Sequence, residues 1–260
     1  MLHHRIIGTG SPVVLLHGVA LDHRYMMDVM EPGFRGAGAW KRIYVDMPGH
    51  GESPASDEIQ SQDDLLSAVT DFINAKLPDE PFAIVGLSRG SYIARGLAYT
   101  MPERVSGVAL IVPGGNPSSD PSRLPDPQVI EGNASIRLEL SEAEIWAHDN
   151  MSVVQRWDIV EKRRQIIAPA RAMFDVEQDA RVMNAFEFSF AKDEEATPVT
   201  VPSLIVVGRQ DSISGYRDGV DLMHRFPRAT LAVLDTAGHA LALERPEVFH
   251  SLVRDWLDRM

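Results

Sequence analysis

The sequence Gly86-Leu87-Ser88-Arg89-Gly90 follows a short apolar run and precedes a segment rich in small residues. Its G-x-S-x-G spacing, between a predicted strand and a predicted helix, is typical of a nucleophile elbow. In such a turn the serine is held in a strained backbone conformation, and Gly86 and Gly90 let neighbouring backbone approach without a Cβ clash. The serine Oγ then lies at a helix N-terminus, where backbone N–H groups favour a developing oxyanion. The pattern predicts that Ser88 is a nucleophile.

A serine nucleophile needs a general base, and the base needs a carboxylate that orients it. Asp211 and His239 meet this requirement, because each stands just beyond an apolar run of strand length, residues 203–207 and 230–234. We therefore predict that Asp211 orients His239 and that His239 removes the proton from Ser88.

Each of these residues also has a purely structural interpretation. Ser88 could be an exposed turn serine, His239 a hydrogen-bonded core histidine and Asp211 the N-cap of a helix. Asp235 is the nearest competing carboxylate, but it stands only four residues before His239. The strand that precedes each of the three candidates favours the catalytic interpretation.

Short apolar runs alternate with helical patterns over most of the chain. Continuous apolar runs indicate strands that are buried on both faces, as in a parallel sheet. We therefore predict an α/β fold, a mostly parallel sheet with helices on both faces. The predicted strands are residues 13–16, 42–45, 82–85, 105–112, 203–207 and 230–234, and the predicted helices are residues 63–77, 91–99, 220–226 and 248–257.

The alternation stops for about 80 residues, and a loop of that length without secondary structure would be implausible. The segment opens with a loop rich in Pro and Ser at residues 117–127, and Ser141-Glu142-Ala143-Glu144 then resembles a capping box. Further helical patterns cover residues 153–167 and 176–191. We predict a core domain of residues 1–115 and 199–260 and an all-helical cap, or lid, of residues 116–198.

The order Ser88, Asp211, His239 resembles that of the α/β-hydrolase superfamily, in its capped serine-hydrolase branch. The resemblance runs from about Pro12 to the C-terminus and excludes the cap. It implies that His17-Gly18 belongs to the family's oxyanion loop. The resemblance further implies that the backbone N–H groups of Val19 and Arg89 form the oxyanion hole.

Two further segments carry the resemblance. Residues 46–53, Asp-Met-Pro-Gly-His-Gly-Glu-Ser, are similar to the family's structural D-x-P-G-x-G-x-S loop. Gly238-His239, followed by residues 244–247, is similar to the sequence around the family's catalytic histidine. His17 and His50 are expected to brace loops.

The chain departs from the family pattern at two places. Only 12 residues precede Val13, so we expect the outermost strand of the family's sheet to be lost. Arg89 stands where relatives often have Met, Leu, Trp or Gln, and it adds a positive charge near the nucleophile. Its side chain is expected either to be paired or exposed, or to hold a carboxylate of the substrate.

Composition excludes several classes of protein. The chain has no cysteine, so disulfides, thiolate metal sites and a cysteine nucleophile are impossible. Its formal net charge of −12 disfavours nucleic acid and anionic membranes as partners. With no apolar run long enough for a bilayer and no signal peptide, we expect a cytoplasmic protein.

No cofactor and no metal are expected. Gly8-Thr9-Gly10 is followed by a proline and a strand, whereas a dinucleotide site needs a helix there, so we predict a turn. No H-E-x-x-H pattern or compact acidic cluster suggests a metal site.

We predict a cofactor-free serine hydrolase that acts through an acyl-enzyme on a small carboxylic ester or lactone. C–C bond hydrolysis and proline iminopeptidase activity remain alternatives, the latter because Gly90-Ser91 resembles the iminopeptidase pattern. Dehalogenase and epoxide hydrolase activities are disfavoured, because those relatives have Asp in place of Ser88. A hydrolase-fold receptor for a small molecule is the alternative of another class, and a homodimer is possible.

The predicted cap carries apolar side chains that could form an acyl pocket or pack within the cap itself. They are Ile145, Trp146, Trp157, Met173, Phe174, Phe186, Phe188 and Phe190.

Overall fold

A single sheet of seven strands forms the centre of the computed structural model, which describes residues 1–114 and 121–260. The strand order is β1-β3-β2-β4-β5-β6-β7, and every neighbouring pair is parallel except β1 and β3 at one edge. The strands are β1 His4–Ile7, β2 Ser11–Leu16, β3 Trp40–Val45, β4 Phe82–Leu87, β5 Val105–Ile111, β6 Ser203–Gly208 and β7 Ala229–Leu234.

Helices cover both faces of this sheet. Along the central strands, successive side chains enter opposite hydrophobic clusters: Val14 and Leu16 face one cluster, while Val13 and Leu15 face the other. The first cluster includes side chains of α2 and α3, and the second includes side chains of α1 and α12. The helices concerned are α1 His23–Phe34, α2 Gln62–Lys76, α3 Arg89–Thr100 and, later in the chain, α12 Pro246–Leu257.

The predicted α/β fold is confirmed, and all six predicted strands lie within two residues of their predicted bounds. The edge strand β1 and helix α1 were not identified from the sequence. Strand β1 has only four residues and is partly exposed, so it shows no continuous apolar run. Helix α1 contains Pro32 and Gly33, which have low helix propensity.

Between β5 and β6, helices are the main regular elements of residues 121–198, which we call the helical insertion. Within it the N–H of Ser141 donates to the Glu144 carboxylate at 2.8 Å, and the predicted capping box is present. A 3-10 turn, Pro121–Arg123, precedes α4 Ala134–Arg137, α5 Glu142–Met151, α6 Trp157–Lys162, a π-helical segment Arg163–Ile167, α7 Ala168–Ala172, α8 Val176–Asn184 and α9 Ala191–Ala196.

Two predicted helices of the insertion have the wrong bounds. The helix predicted at residues 153–167 begins only at Trp157, because Val153 and Val154 are extended and pair with residues 130 and 131. The helix predicted at residues 176–191 ends at Asn184, and the chain then crosses to α3, where Tyr92 stacks on Phe188 at 4.2 Å.

The predicted boundary between residues 115 and 116, with the first part of the predicted loop 117–127, lies outside the described residues. The division into a core domain and a cap with those bounds therefore stays a prediction. After β6 the chain forms α10 Arg217–Asp221, a 3-10 turn Leu222–His224, and α11 Leu241–Glu244. None of the described helices is both long and apolar enough to cross a membrane.

A buried carboxylate attaches the end of the insertion to the core. Glu194 on α9 accepts hydrogen bonds from Arg95 on α3, at 2.7 and 3.1 Å, and from Arg225 after α10. Glu194 and Arg225 are each 1% exposed, and burial lowers the pKa of Arg225. The ion pairs thus neutralise a charge that solvent cannot reach.

Replacing Glu194 should destabilise the fold strongly. We expect Glu194→Ala to lower the free energy of unfolding by about 3–5 kcal/mol, because it leaves a buried arginine without a counter-charge. Urea denaturation followed by circular dichroism measures the change. The adjacent exposed Glu195→Ala is the matched control and should change stability by less than about 0.5 kcal/mol. Equal effects of the two substitutions would contradict the assignment.

Candidate active site

Ser88 occupies the sharp turn between β4 and α3. Its φ of 52° and ψ of −116° lie outside the regions that non-glycine residues ordinarily adopt. Hydrogen bonds to both neighbouring strands fix the turn: Ser88 N–H donates to the carbonyl of Ile111 in β5 at 2.9 Å, and Ser91 Oγ donates to the carbonyl of Gly86 in β4 at 2.7 Å. Ser91 is fully buried, so its hydroxyl serves the turn.

The two glycines of the pattern are required by close backbone contacts. A Cβ added at Gly86 would come within 2.2 Å of the Gly90 carbonyl oxygen, and one added at Gly90 would come within 2.4 Å of the Leu16 carbonyl oxygen. Both distances are far shorter than a van der Waals contact. Glycine at these positions therefore allows β2, β4 and α3 to meet around Ser88.

Asp211 and His239 are brought together at the same edge of the sheet, beyond the ends of β6 and β7. His239 Nδ1 lies 2.9 Å from Asp211 Oδ2. The other carboxylate oxygen, Oδ1, accepts from the backbone N–H groups of Ile213 and Ser214 at 2.9 Å each. The carboxylate thus caps a turn and contacts the imidazole at once, so the two interpretations of Asp211 are compatible.

Two residues near His239 bear on this pairing. Ser214 Oγ lies 3.3 Å from His239 Nδ1 and was not identified from the sequence. Asp is typical at the start of a turn, but no local pattern indicates that the Ser214 hydroxyl would lie beside His239. Asp235, the competing carboxylate, is exposed and accepts a hydrogen bond from Gln210 at 2.8 Å. Asp211 is therefore the carboxylate that contacts the imidazole.

The surroundings of His239 favour its protonated form. Burial alone would lower the pKa of His239, but the charge of Asp211 and its hydrogen bond, with a further contribution from Glu244, raise the pKa above its ordinary value. The Asp211 contact also fixes which nitrogen faces the carboxylate, so Nε2 remains for another partner.

The His17-Gly18 segment braces the loop opposite Ser88. His17 is fully buried, and its ring lies between the Gly18 carbonyl, 2.8 Å from Nδ1, and the N–H of Met47, which donates to Nε2 at 3.0 Å. Burial lowers the pKa of His17, which keeps the ring neutral. A Cβ at Gly18 would come within 3.2 Å of the Ser88 Cβ, so this loop packs directly on the turn.

Asp46 organises the next loop from a fully buried position. Its carboxylate accepts from the backbone N–H groups of His23 at 2.7 Å and Glu52 at 3.0 Å. It also contacts the rings of His3 and His23 at 2.8 and 2.9 Å. Burial would raise the pKa of Asp46, but these hydrogen bonds hold it well below its usual range.

His3, His23 and Asp46 have ligand atoms within 4.8 Å of one another, a spacing that a metal ion could bridge. Hydrogen bonds between the carboxylate and both imidazoles already account for this geometry. We therefore assign the cluster a structural role, which is to hold the loop of residues 46–53 in place. His50 in this loop is buried, which lowers its pKa to about 3.

Arg89 is a buried, paired arginine. Its guanidinium donates to Asp179 on α8 and contacts the Met183 sulfur, and burial lowers its pKa. The side chain therefore joins the turn at Ser88 to the helical insertion. This geometry favours the paired alternative over a clamp for a substrate carboxylate.

A cavity of about 690 Å³ is lined by the loops around Ser88 and His239 and by the helical insertion. Ser88, Arg89 and His239 border it, as do Ser214 and Val19, which lies in the loop after β2. Of the eight apolar residues proposed for an acyl pocket, only Phe186 lines it. Phe188 and Phe190 instead pack among the aromatic rings of α3. The apolar part of the lining comes mainly from Val19, Leu21, Leu87, Leu140, Ala143, Ala147, Met151, Val160, Ile167, Met183 and Ile213.

Glu244 links the loop of His239 to the helical insertion and was not singled out from the sequence. It is 2% exposed and accepts from the N–H groups of Gly238 at 2.7 Å and Val153 at 2.8 Å. Burial raises the pKa of Glu244 despite these hydrogen bonds. One carboxylate thus ties the residue before His239 to a strand-like segment of the insertion.

Comparisons with known proteins agree with this architecture. A family model described as alpha/beta hydrolase fold matches residues 11–246. The chain is 27% identical to a pimeloyl-[acyl-carrier protein] methyl ester esterase of Neisseria meningitidis, over 95% of this chain and 92% of that protein. It is 24% identical to an (E)-2-((N-methylformamido)methylene)succinate hydrolase of Acinetobacter baylyi, over 98% and 94% of the two chains.

The fold is also similar to that of solved structures. An α/β superfamily hydrolase from Oenococcus oeni superposes with a TM-score of 0.87 at 24% identity, covering 99% of this chain and 96% of the other. The similarity extends over the helical insertion as well as the sheet, because almost the whole chain is covered.

The pairing of His239 with Asp211 can be tested without any substrate. We expect Asp211→Asn to lower the pKa of His239, because the substitution removes the charge that raises it. A pH titration of the imidazole signals by NMR measures this pKa. Asp235→Asn, which removes an exposed carboxylate outside this contact, is the control and should leave the pKa unchanged. An unchanged pKa in Asp211→Asn would refute the assigned contact.

Proposed function

Because the chain belongs to the α/β-hydrolase fold family, we propose that it is a serine hydrolase with Ser88 as nucleophile, His239 as general base and Asp211 as the orienting carboxylate. The observation that carries the proposal is the 2.9 Å contact of Asp211 with His239 at the cavity that Ser88 borders. The strained conformation of Ser88 supports it, because such strain is typical of functional positions. The esterase and hydrolase names of the relatives agree with this class of enzyme.

The reaction begins with proton transfer from Ser88 to Nε2 of His239. The serine Oγ attacks the acyl carbon, and the carbonyl electrons move to the oxygen. The backbone N–H groups of Val19 and Arg89 stabilise that oxyanion, each contributing about 3–4 kcal/mol to the barrier reduction. His239 then donates its proton to the leaving alcohol, which leaves an acyl group on Ser88.

Water completes the cycle by the same chemistry. His239 removes a proton from the water, the resulting hydroxide attacks the acyl carbon, and the proton passes to Ser88 Oγ as the ester bond breaks. Asp211 stabilises the imidazolium in both half-reactions and keeps its charge. Since the base must be neutral to act, activity is lost as the pH falls through the raised pKa of His239.

A carboxylic ester or lactone is the substrate class that the cavity supports best. Its lining is mostly apolar around Ser88, which suits an acyl chain. An aminopeptidase must hold a substrate ammonium group, which requires a free carboxylate. Among the described residues that line the cavity the only carboxylate is that of Glu144, and it is paired with Arg164. Ester hydrolysis is therefore favoured over iminopeptidase activity.

Loss of Ser88 should abolish both covalent labelling and turnover. We expect the wild-type protein to react with a fluorophosphonate probe and to hydrolyse p-nitrophenyl butyrate with a burst. Ser88→Ala should lose labelling and at least about 10³-fold in kcat, because no other group can form the acyl-enzyme. Rapid-mixing kinetics and mass spectrometry of the labelled protein are the measurements.

Ser67→Ala, at an exposed position on α2, is the matched control and should behave as wild type. A wild-type protein that is neither labelled nor active on esters of any chain length would contradict the hydrolase and favour the receptor alternative.

A further inference from the structure

The arginines of the helical insertion are unevenly paired. Seven arginines lie between residues 121 and 198. Five of them have a carboxylate within 4 Å: Arg123, Arg137, Arg156, Arg164 and Arg181. Arg163 and Arg171 have no such partner among residues 1–114 and 121–260, and both of them line the cavity that Ser88 borders.

Arg163 is the more buried of these two. It begins the π-helical segment, an arrangement that is frequent at functional sites. Its Nη1 donates to Ser152 Oγ at 2.8 Å, which engages one of its five N–H groups. Burial lowers the pKa of Arg163. The charge of Glu244 opposes this lowering, but Glu244 forms no ion pair with Arg163. The Glu244 oxygens instead accept hydrogen bonds from the backbone N–H groups of Val153 and Gly238.

A second polar group in the same wall lacks a partner. His148 on α5 is 1% exposed and lines the cavity, and its Nε2 has no hydrogen-bond partner in the described part of the chain. Burial lowers the pKa of His148, so the ring is neutral at neutral pH. An unpaired buried polar atom is destabilising, so a ligand oxygen that bonds to it would bind favourably.

Glu144 and Arg164 also line the cavity but pair with each other, and the other α5 and α6 residues that line it are apolar apart from His148. Ala143, Ala147, Met151 and Val160 border the same cavity and offer no hydrogen bond to a polar ligand. The protein as a whole carries a net charge of −12, which repels anions. Unpaired arginines in the cavity of such a protein therefore create a local preference for an anionic group at one end of an apolar ligand.

We propose that Arg163, with His148 beside it, forms a carboxylate-binding subsite in the wall of the cavity, and that the substrate is an acyl ester carrying a carboxylate remote from the ester bond. The inference rests on the proposed function, because it names the substrate class for the same cavity. A guanidinium binds a carboxylate through two parallel hydrogen bonds, which also fixes the ligand's direction. The ester would then face Ser88 across the apolar part of the cavity.

The first test compares esters that differ only in the remote group. The monomethyl esters of adipic, suberic and sebacic acid are each paired with the methyl ester of the alkanoic acid of equal chain length. In the wild-type protein we expect kcat/KM to be about 10- to 100-fold higher for the carboxylate ester at the best chain length. A ratio of one or below at every chain length would overturn the proposal.

Substitutions then assign the preference to Arg163. Arg163→Met should reduce the ratio of the two kcat/KM values to about one. Arg163→Lys should retain part of the ratio, because lysine keeps the positive charge but lacks the two parallel N–H donors of the guanidinium. Arg137→Met removes an exposed arginine of the same insertion that does not line the cavity, so it should keep the wild-type ratio. An unchanged ratio in Arg163→Met would overturn the proposal. Partial retention of the ratio in Arg163→Lys would show that its loss in Arg163→Met does not come from misfolding.

A binding measurement separates the subsite from the chemistry. Isothermal titration of Ser88→Ala with monomethyl suberate should give a Kd about 10- to 100-fold lower than that of the same variant carrying Arg163→Met. Binding of this kind without turnover by the wild-type protein would contradict the proposed function and leave the subsite standing. Turnover of neutral esters with no binding advantage for the carboxylate would overturn the subsite and leave the proposed function standing.

Discussion

Close backbone contact at the carboxyl edge of the sheet is the constraint on which the rest of the site depends. Gly86 and Gly90 leave no room for a Cβ, and Ser88 adopts a left-handed φ between them. Four of the five non-glycine residues with positive φ in residues 1–114 and 121–260 follow the ends of strands at this edge: Ala20, Ser88, Val112 and Thr236. Each costs about 1–3 kcal/mol. The buried hydrogen bonds of Ser91 and the rigid parallel strands hold this strain, which would otherwise relax.

A second constraint couples the insertion to the sheet. Glu244 holds Gly238, next to His239, and also Val153 of the insertion, while Arg89, next to Ser88, pairs with Asp179 of α8. Both side chains are buried, so removing either partner would leave an uncompensated polar group. The position of the insertion and the geometry at Ser88 and His239 are therefore mechanically linked.

Elements that depend on local sequence patterns could be predicted, whereas features that depend on tertiary contacts could not. The six central strands are buried on both faces, so their apolar runs were legible, whereas the short edge strand β1 left no such run. The glycines around Ser88 and the Asp211 turn were legible because their roles are local. Glu244, Ser214 and the Arg89 to Asp179 pair act through residues distant in sequence. The aromatic residues of the insertion were expected in the pocket because of their residue type alone. Phe188 instead stacks on Tyr92 of α3, a contact between residues distant in sequence.

The helix that runs from α6 through the π segment to α7 presents two kinds of residue to one cavity. Val160, Ile167 and Ala168 supply an apolar surface, and Arg163, Arg164 and Arg171 supply charge. Glu144 neutralises Arg164, so the charge that remains is concentrated at Arg163 and Arg171. In the proposed function, the residues at the sheet edge act on the acyl group whatever the far end of the substrate carries, whereas this helix contacts that far end. Because one fold hosts many functions, discrimination between substrates depends on the residues that line the cavity, many of which belong to the inserted helices.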